Sequence, residues 1–534
     1  MPSIPTITAP SWLETARREP DRPRTVGLAL AIVVVEVILA RGVAAPETAL
    51  YVFAFLGLFV FAAVFRFPMA TALVFLGLTD FIFHPGYFAH EVGSLSIRPH
   101  ELVLGCLLVL AAVRPLRRTW GGQAGAALAA FLALALVSAA LAVSAGDTTL
   151  QDVMAWGRPF FLLTFFYVVV RLFPEAEQRR LLLTGAAVLA ALTGVIAALI
   201  SFGGSGLASS LVDSSGQLIR EEAGAESIER VRLAGLSAGY ALFWYCVVRI
   251  GDNEGRLRLL WLAILGGISL DIAVSLNRNM WLGLLIGGGL MAVVGGTRIR
   301  HRMAVGGAIA VAGVALLLVF GSSSSNDSVV QPIVKRGETI FKPGETTAES
   351  SLEAREKETD EAIGTARDHL LLGVGVGAPF GVESKQPIST GSFIIGTTQV
   401  PQLFLHNQYL YLVLVAGIPG LIAFLLFLGL PLVEAFRRRP RDPAASACAV
   451  GIAMIMVSAV VALYFSTEDM TAVLGLLAGI LVADREGLEA GELTDSGLRA
   501  AARGRCASSA AATSTFATPP GSPPGSGAPA PRWR

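Results

Sequence analysis

Apolar runs of about the length one bilayer crossing needs, roughly 20 residues or a little less, recur along most of this 534-residue chain. They fall at 26–45, 49–65, 68–83, 101–113, 123–143, 159–173, 181–202, 234–250, 259–274, 280–296, 303–320, 417–436, 444–463 and 470–483. Hydrophobic residues make up 54% of the sequence before its 57 glycines are counted, and charged residues only 15%, against about 25% charged in soluble domains. One water-soluble core has no use for so much apolar surface, and too few charges would remain to coat it. In hydrocarbon, a chain satisfies its backbone within helices or a closed barrel, and long continuous apolar runs belong to helices. The expected fold class is therefore an all-α polytopic membrane protein of about 12–14 transmembrane helices.

The short connections set the expected orientation. Arg114, Arg117 and Arg118 share one; Arg171, Arg179 and Arg180 another; Arg249, Arg256 and Arg258, then Arg298, Arg300 and Arg302, then Arg437 to Arg439 with Arg441, occupy three more. All fall on one side if every run crosses once, and the positive-inside rule makes that side cytoplasmic, with both termini. The opposite connections are poor in basic residues. Arg17, Arg18, Arg22 and Arg24 precede the first run, which Glu36 and Arg41 interrupt and no small-residue cleavage site ends; an uncleaved span is expected rather than a signal peptide. The expected organisation is a cytoplasmic segment 1–24, transmembrane helices 1–11 over 25–320, a large extracytoplasmic loop 321–402, a loop helix and the last spans over 403–484, and a disordered cytoplasmic tail 485–534. That tail is rich in Ala, Ser, Gly and Pro and cannot bury enough apolar surface to order itself.

Within the large loop, 346–371 is rich in helix formers and should be helical. Gly373, Gly375 and Gly377 follow in a turn, and a further helix is expected to begin near Leu403 and run through His406 before the Gly417-Ile418-Pro419-Gly420 break.

Several function classes drop out at this stage. With 41 basic and 40 acidic residues the formal net charge is +1, so no overall field would attract nucleic acid. Cys106, Cys246 and Cys448 lie in apolar runs and Cys506 in the tail, which suggests neither a disulfide framework nor a Cys-x-x-Cys metal site. His84, His90 and His100, with Asp80 and Glu91, share one outer connection, but their spacing matches no ligand template.

What remains is charge at the outer surface. Arg158, Arg232, Arg278 and Arg355 run against the positive-inside bias, and charge there needs a partner or a ligand. A guanidinium offers a planar fork suited to phosphate, so together the four could hold a diphosphate; alternatively each snorkels to headgroups or pairs with a nearby carboxylate. His406 lies at the same level, and a neutral imidazole there can take a proton from a sugar hydroxyl. Glu36, Asp80 and Asp271 are membrane or near-membrane carboxylates of the kind ion-coupled transporters use, which keeps a transporter or flippase of lipid-linked sugars as an alternative of a different class. A structural membrane partner without catalysis is a third.

The motifs also occur as an ordered set. His406-Asn407-Gln408-Tyr409-Leu410 followed by Gly417-Ile418-Pro419-Gly420-Leu421 resembles the His-Asn-x-Tyr-Leu... Gly-Ile-x-Gly-Leu signature of the O-antigen ligase and O-antigen polymerase superfamily. Asp368 to Gly377 is similar to its glycine-rich element, Ser275 to Gly283 to its Ser-x-Ser-Arg element, and Arg232-Leu233-Ala234-Gly235 to its Arg-Leu-x-Gly element. Asn277 replaces the usual second serine, and Leu370 stands where proline is common. The resemblance spans roughly residues 100–480. It implies a GT-C-like glycosyltransferase, metal-independent and without a cofactor, that takes a glycan from an undecaprenyl-diphosphate carrier. By the same resemblance Arg278 and Arg232 would bind the diphosphate with help from Arg355, and Arg158 matches an arginine at the start of the corresponding span. His406 would deprotonate the acceptor. That acceptor would be a lipid core, another glycan or a protein hydroxyl, and the setting the cytoplasmic (inner) membrane with the site facing outward. A polymerase of the same superfamily is the nearest alternative.

Overall fold

The structure is a computed structural model that describes residues 64–81, 90–92, 95–113, 120–202, 218–223, 226–231, 236–275, 277–294, 300, 348–380, 384–390, 393–400, 405–437 and 443–483. The expected spans 26–45 and 303–320, most of 49–65, the N-terminal segment 1–24 and the tail 485–534 lie outside the described residues, as do Glu36, His84 and Arg232.

The described residues form a helical bundle. In chain order the helices are α1 (Pro68–Leu76), α2 (Pro99–Val113), α3 (Gly122–Ala145), α4 (Leu150–Leu162), α5 (Phe165–Leu172), α6 (Ala176–Phe202), α7 (Leu236–Asp252), α8 (Gly255–Val274), α9 (Arg278–Val294), α10 (Ala348–Asp368), α11 (Gln408–Arg437) and α12 (Pro443–Ser458). A last helix, α13, covers 468–483. Among the described residues four helical stretches are long and apolar enough to cross a membrane: Gly122–Ala145, Leu150–Leu172, Ala176–Leu199 and Gln408–Arg437. The chain is thus an all-α polytopic membrane protein, as its apolar runs predict.

Large apolar side chains stay exposed on the spans, among them Leu136, Leu192, Leu199, Leu259 and Leu285, which is the face a bilayer solvates. Inside, aromatic rings fill the space between helices. Phe131 of α3 meets Phe160 of α4 at 5.3 Å and Phe424 of α11 at 5.1 Å between centroids, and Phe424 meets Phe465 at 4.8 Å. Elsewhere small residues let backbones approach, as in membrane bundles generally: a Cβ on Gly194 of α6 would lie 2.1 Å from the Gly267 carbonyl oxygen of α8.

Among the described residues three antiparallel hairpins accompany these helices and were not expected from the sequence: β1 (His90–Val92) with β2 (Leu95–Ile97), β3 (Leu218–Ala223) with β4 (Glu226–Val231), and β5 (Ser384–Thr390) with β6 (Phe393–Val400). The last belongs to the long connection that also contains α10.

The helix expected from Leu403 through His406 is corrected. Residues 401–404 lie outside the described residues, and α11 starts at Gln408, leaving His406 ahead of it. Asn407 sets the boundary: its Oδ1 accepts the Leu410 N–H at 3.2 Å, an N-cap bond that satisfies a donor the helix would otherwise leave open. The break inside α11 is where expected. Gly417 adopts φ 70 and ψ −178, which frees the Leu414 carbonyl to accept from Val374 N at 2.7 Å and Gly375 N at 3.2 Å, while Ile418 N donates to Leu370 O at 2.8 Å. The glycine-rich turn therefore completes the broken helix. Gly373 has φ 73, and a Cβ on it would lie 2.2 Å from the Leu414 oxygen, so the two sequence motifs need each other for backbone reasons alone.

Candidate functional site

Arg158, Arg355 and His406 lie toward one end of the bundle, and α2 shows which end. In its first turn Glu101 accepts from Arg158 Nε at 2.8 Å; near its last turn the Ala111 carbonyl accepts from Arg171 Nε and Nη2, both at 3.2 Å. Ten residues of helix separate these points by about 15 Å. Arg158 and Arg171, which the sequence assigns to opposite faces, thus engage opposite ends of one helix. The second end also holds Arg179, bound to the carbonyls of Phe173 and Pro174.

At the first end, the connection from α12 to α13 acts as a hub. The Ala459 carbonyl accepts from Gln408 N at 3.0 Å, tying in the start of α11. Tyr409 Oη donates to the Met456 carbonyl. The Val461 carbonyl is met at 3.5 Å by Asn279 Nδ2 from the start of α9 and, at the same distance, by Arg355 Nη1 from α10. These two side chains converge on one oxygen, so the loop helix lies within side-chain reach of the segment that begins with Arg278. Glu468, the first residue of α13, pairs with Arg98 and lies 3.1 Å from His100 Nε2.

Local sequence explains why each residue sits there. Asn277 Oδ1 accepts the Asn279 N–H at 3.1 Å, an N-cap bond that starts α9 at Arg278. Asparagine caps as well as serine, so the departure from the Ser-x-Ser-Arg pattern keeps the local geometry. Five residues on, a Cβ at Gly283 would lie 1.7 Å from Tyr240 Oη, and that hydroxyl is 2.7 Å from Ser458 Oγ. This contact seats α9 against α7 and α12.

His406 is held by α10. Its backbone N–H donates to Glu358 Oε1 and its Nδ1 lies 2.9 Å from Glu358 Oε2, with the N–H bond also 2.9 Å. Arg355 and Glu358 are three residues apart on that helix and share a face. Among the described residues Arg355 meets no carboxylate. Arg158 contrasts with it: buried, and paired with Glu101. Of the alternatives for each outer arginine, carboxylate pairing is what the structure shows for Arg158. For Arg278 the backbone position is described, and Arg232 precedes α7 outside the described residues.

The two acids that open α13 titrate in opposite directions. Burial works to raise Glu468, but the neighbouring His100, Arg98 and Arg158 outweigh it and hold this carboxyl below its ordinary value. Burial pushes Asp469 up, against hydrogen bonds from Ser237, the Met470 N–H and Thr467. Glu101, Glu358, Glu468 and Asp469 all escape sequence reasoning, since an acid at the edge of an apolar run or on a polar helix looks merely solvated. His100, considered above as a possible metal ligand, faces Glu468. Among the described residues no group of three His, Cys, Asp or Glu side chains lies together as a metal site would need. Asp271, deep in α8, is buried with neither carboxylate oxygen hydrogen-bonded among the described residues.

Several apolar spans with a polar, histidine-bearing site at one end define a multi-pass membrane protein. Residues 260–425, a little under a third of the chain, are similar to the family model described as O-Antigen ligase. The matched segment takes in Arg278, Arg355 and His406 and leaves Arg158 and Arg232 outside. No curated protein matches the chain.

Proposed function

We propose that the chain is a glycosyltransferase of the inner membrane that moves a glycan from an undecaprenyl-diphosphate carrier to a hydroxyl acceptor, at a site facing away from the cytoplasm. The loop 321–402 would cover that face and both termini would be cytoplasmic. The observation that carries the reading is the convergence of Arg355, the start of α9 and His406 around the 459–467 connection.

In this reading Arg278, Arg232 and Arg355 bind the diphosphate. The acceptor oxygen forms a bond to the anomeric carbon as the bond from that carbon to the diphosphate oxygen breaks, the electron pair leaving with the diphosphate. Fixed guanidinium groups stabilise the charge that develops there, and they act without a metal. The acceptor proton passes to His406. Arg158 carries the least of the diphosphate role, because Glu101 neutralises it.

The test is a reconstituted full-length protein with a lipid-linked donor and a panel of acceptors: lipid core, lipid-linked glycan and protein. His406→Ala should lower kcat by about 10²–10⁴-fold, the usual scale of general base catalysis, with donor binding kept. Transfer at the normal rate would remove the base from the scheme and favour a flippase. The acceptor that is used decides between ligase, polymerase and protein glycosylation.

A further inference from the structure

We propose that Glu358 is the positioning residue for His406, fixing the imidazole with its proton on Nδ1 so that Nε2 carries the lone pair that receives the acceptor proton. The inference rests on the reading of His406 as the base and adds how that base is oriented.

The geometry is a two-point clamp. One carboxylate oxygen of Glu358 takes the His406 backbone N–H and the other faces Nδ1, each at 2.9 Å. An ionised carboxylate only accepts hydrogen bonds, so the ring nitrogen facing it must donate, and the tautomer follows from the partner. Holding the backbone and the ring with one side chain fixes both the position of the residue and the rotation of the imidazole. The Glu358 side chain is 10% exposed against 32% for His406, so the carboxylate sits behind the ring. When the ring takes the acceptor proton on Nε2, the adjacent negative charge stabilises the imidazolium, which later releases that proton to water or to the departing diphosphate. An orienting acid behind a histidine is known to act in this way in hydrolases.

A second consequence concerns α10. Arg355 and Glu358 lie on one face of the same helix, Arg355 reaching the Val461 carbonyl near α9 and Glu358 reaching His406. One helix of the long connection therefore carries a donor-side cation and the acceptor-side positioning group in fixed register.

The experiment compares Glu358→Gln, Glu358→Asp, His406→Ala and the double variant Glu358→Gln/His406→Ala in the reconstituted full-length protein, reading kcat and donor KM separately. Glutamine keeps the size but can present an N–H to Nδ1, favouring the wrong tautomer. The expected result is a kcat about 10²-fold or more lower for Glu358→Gln, on the scale of general base catalysis, with donor KM within about twofold. Glu358→Asp should recover part of the loss, and the double variant should be no slower than His406→Ala, since groups acting as one unit are non-additive. If His406→Ala is inactive while Glu358→Gln turns over normally, the inference falls and the base assignment stands; if His406→Ala is itself fully active, the base assignment falls. Should Glu358→Gln fail to fold, nitrogen NMR of the ¹⁵N-histidine-labelled wild-type protein decides, with His406 assigned from the His406→Ala spectrum. An Nδ1–H tautomer supports the proposal and an Nε2–H tautomer overturns it.

Discussion

Arg158 and Arg355 are the same residue type at the same end of the bundle, yet their surroundings differ in kind. Arg158 is buried on α4 and gives its Nε to Glu101 at 2.8 Å. Arg355, on α10, reaches only a backbone carbonyl at 3.5 Å among the described residues. A neutralised guanidinium in a dry setting holds helices in place, whereas one without a carboxylate partner remains able to take an anionic ligand. Position near the outer surface does not separate these roles; the second residue of each pair does.

The sharpest way to break that comparison is to remove each arginine and read stability and donor affinity together. Arg158→Ala leaves Glu101 without its partner, and removing one member of a buried pair costs about 3–5 kcal/mol. Thermal unfolding in detergent should show a large loss, with donor KM little changed in whatever fraction remains folded. A donor KM raised tenfold at unaltered stability would mean that Arg158 touches the diphosphate after all. Arg355→Ala should do the reverse, raising donor KM about tenfold, or about 1.4 kcal/mol, with thermal stability unchanged.

The smallest effect concerns pH. Glu468 is held below its ordinary value of 4.5, so its ionised form contributes stability that is present above that value and lost as pH falls through the lowered one. Asp469, pushed up by burial, contributes in the opposite sense, being best tolerated protonated. The stability difference between wild type and Glu468→Gln isolates the first: it should be full near neutral pH and shrink below about pH 4.5. A difference independent of pH would show that the cluster with Arg98 and His100 contributes packing rather than charge.

Much of this was legible in the sequence. Apolar runs announce the spans because length and hydropathy are local properties. The glycine-rich turn and the Gly417 break were legible as separate signals, but their mutual completion was not, since it takes a backbone hydrogen bond between segments some forty residues apart, from Val374 N to Leu414 O. Asn407 offered a signal for where α11 begins: a good capping residue directly before an apolar run. Glu358 offered almost none. It lies among other charged residues on α10, and only tertiary packing selects it over Glu356 or Glu361 as the partner of His406. The hairpins were missed because short polar strands in connections carry no periodicity long enough to read.

The most direct measurement is the structure of the full-length protein with an undecaprenyl-diphosphate-linked glycan bound. The account predicts the diphosphate within hydrogen-bond distance of the Arg278 and Arg355 guanidinium groups, with the anomeric carbon on the side of His406 Nε2. A diphosphate seated instead at the opposite end, beside Arg171 and Arg179, would contradict it.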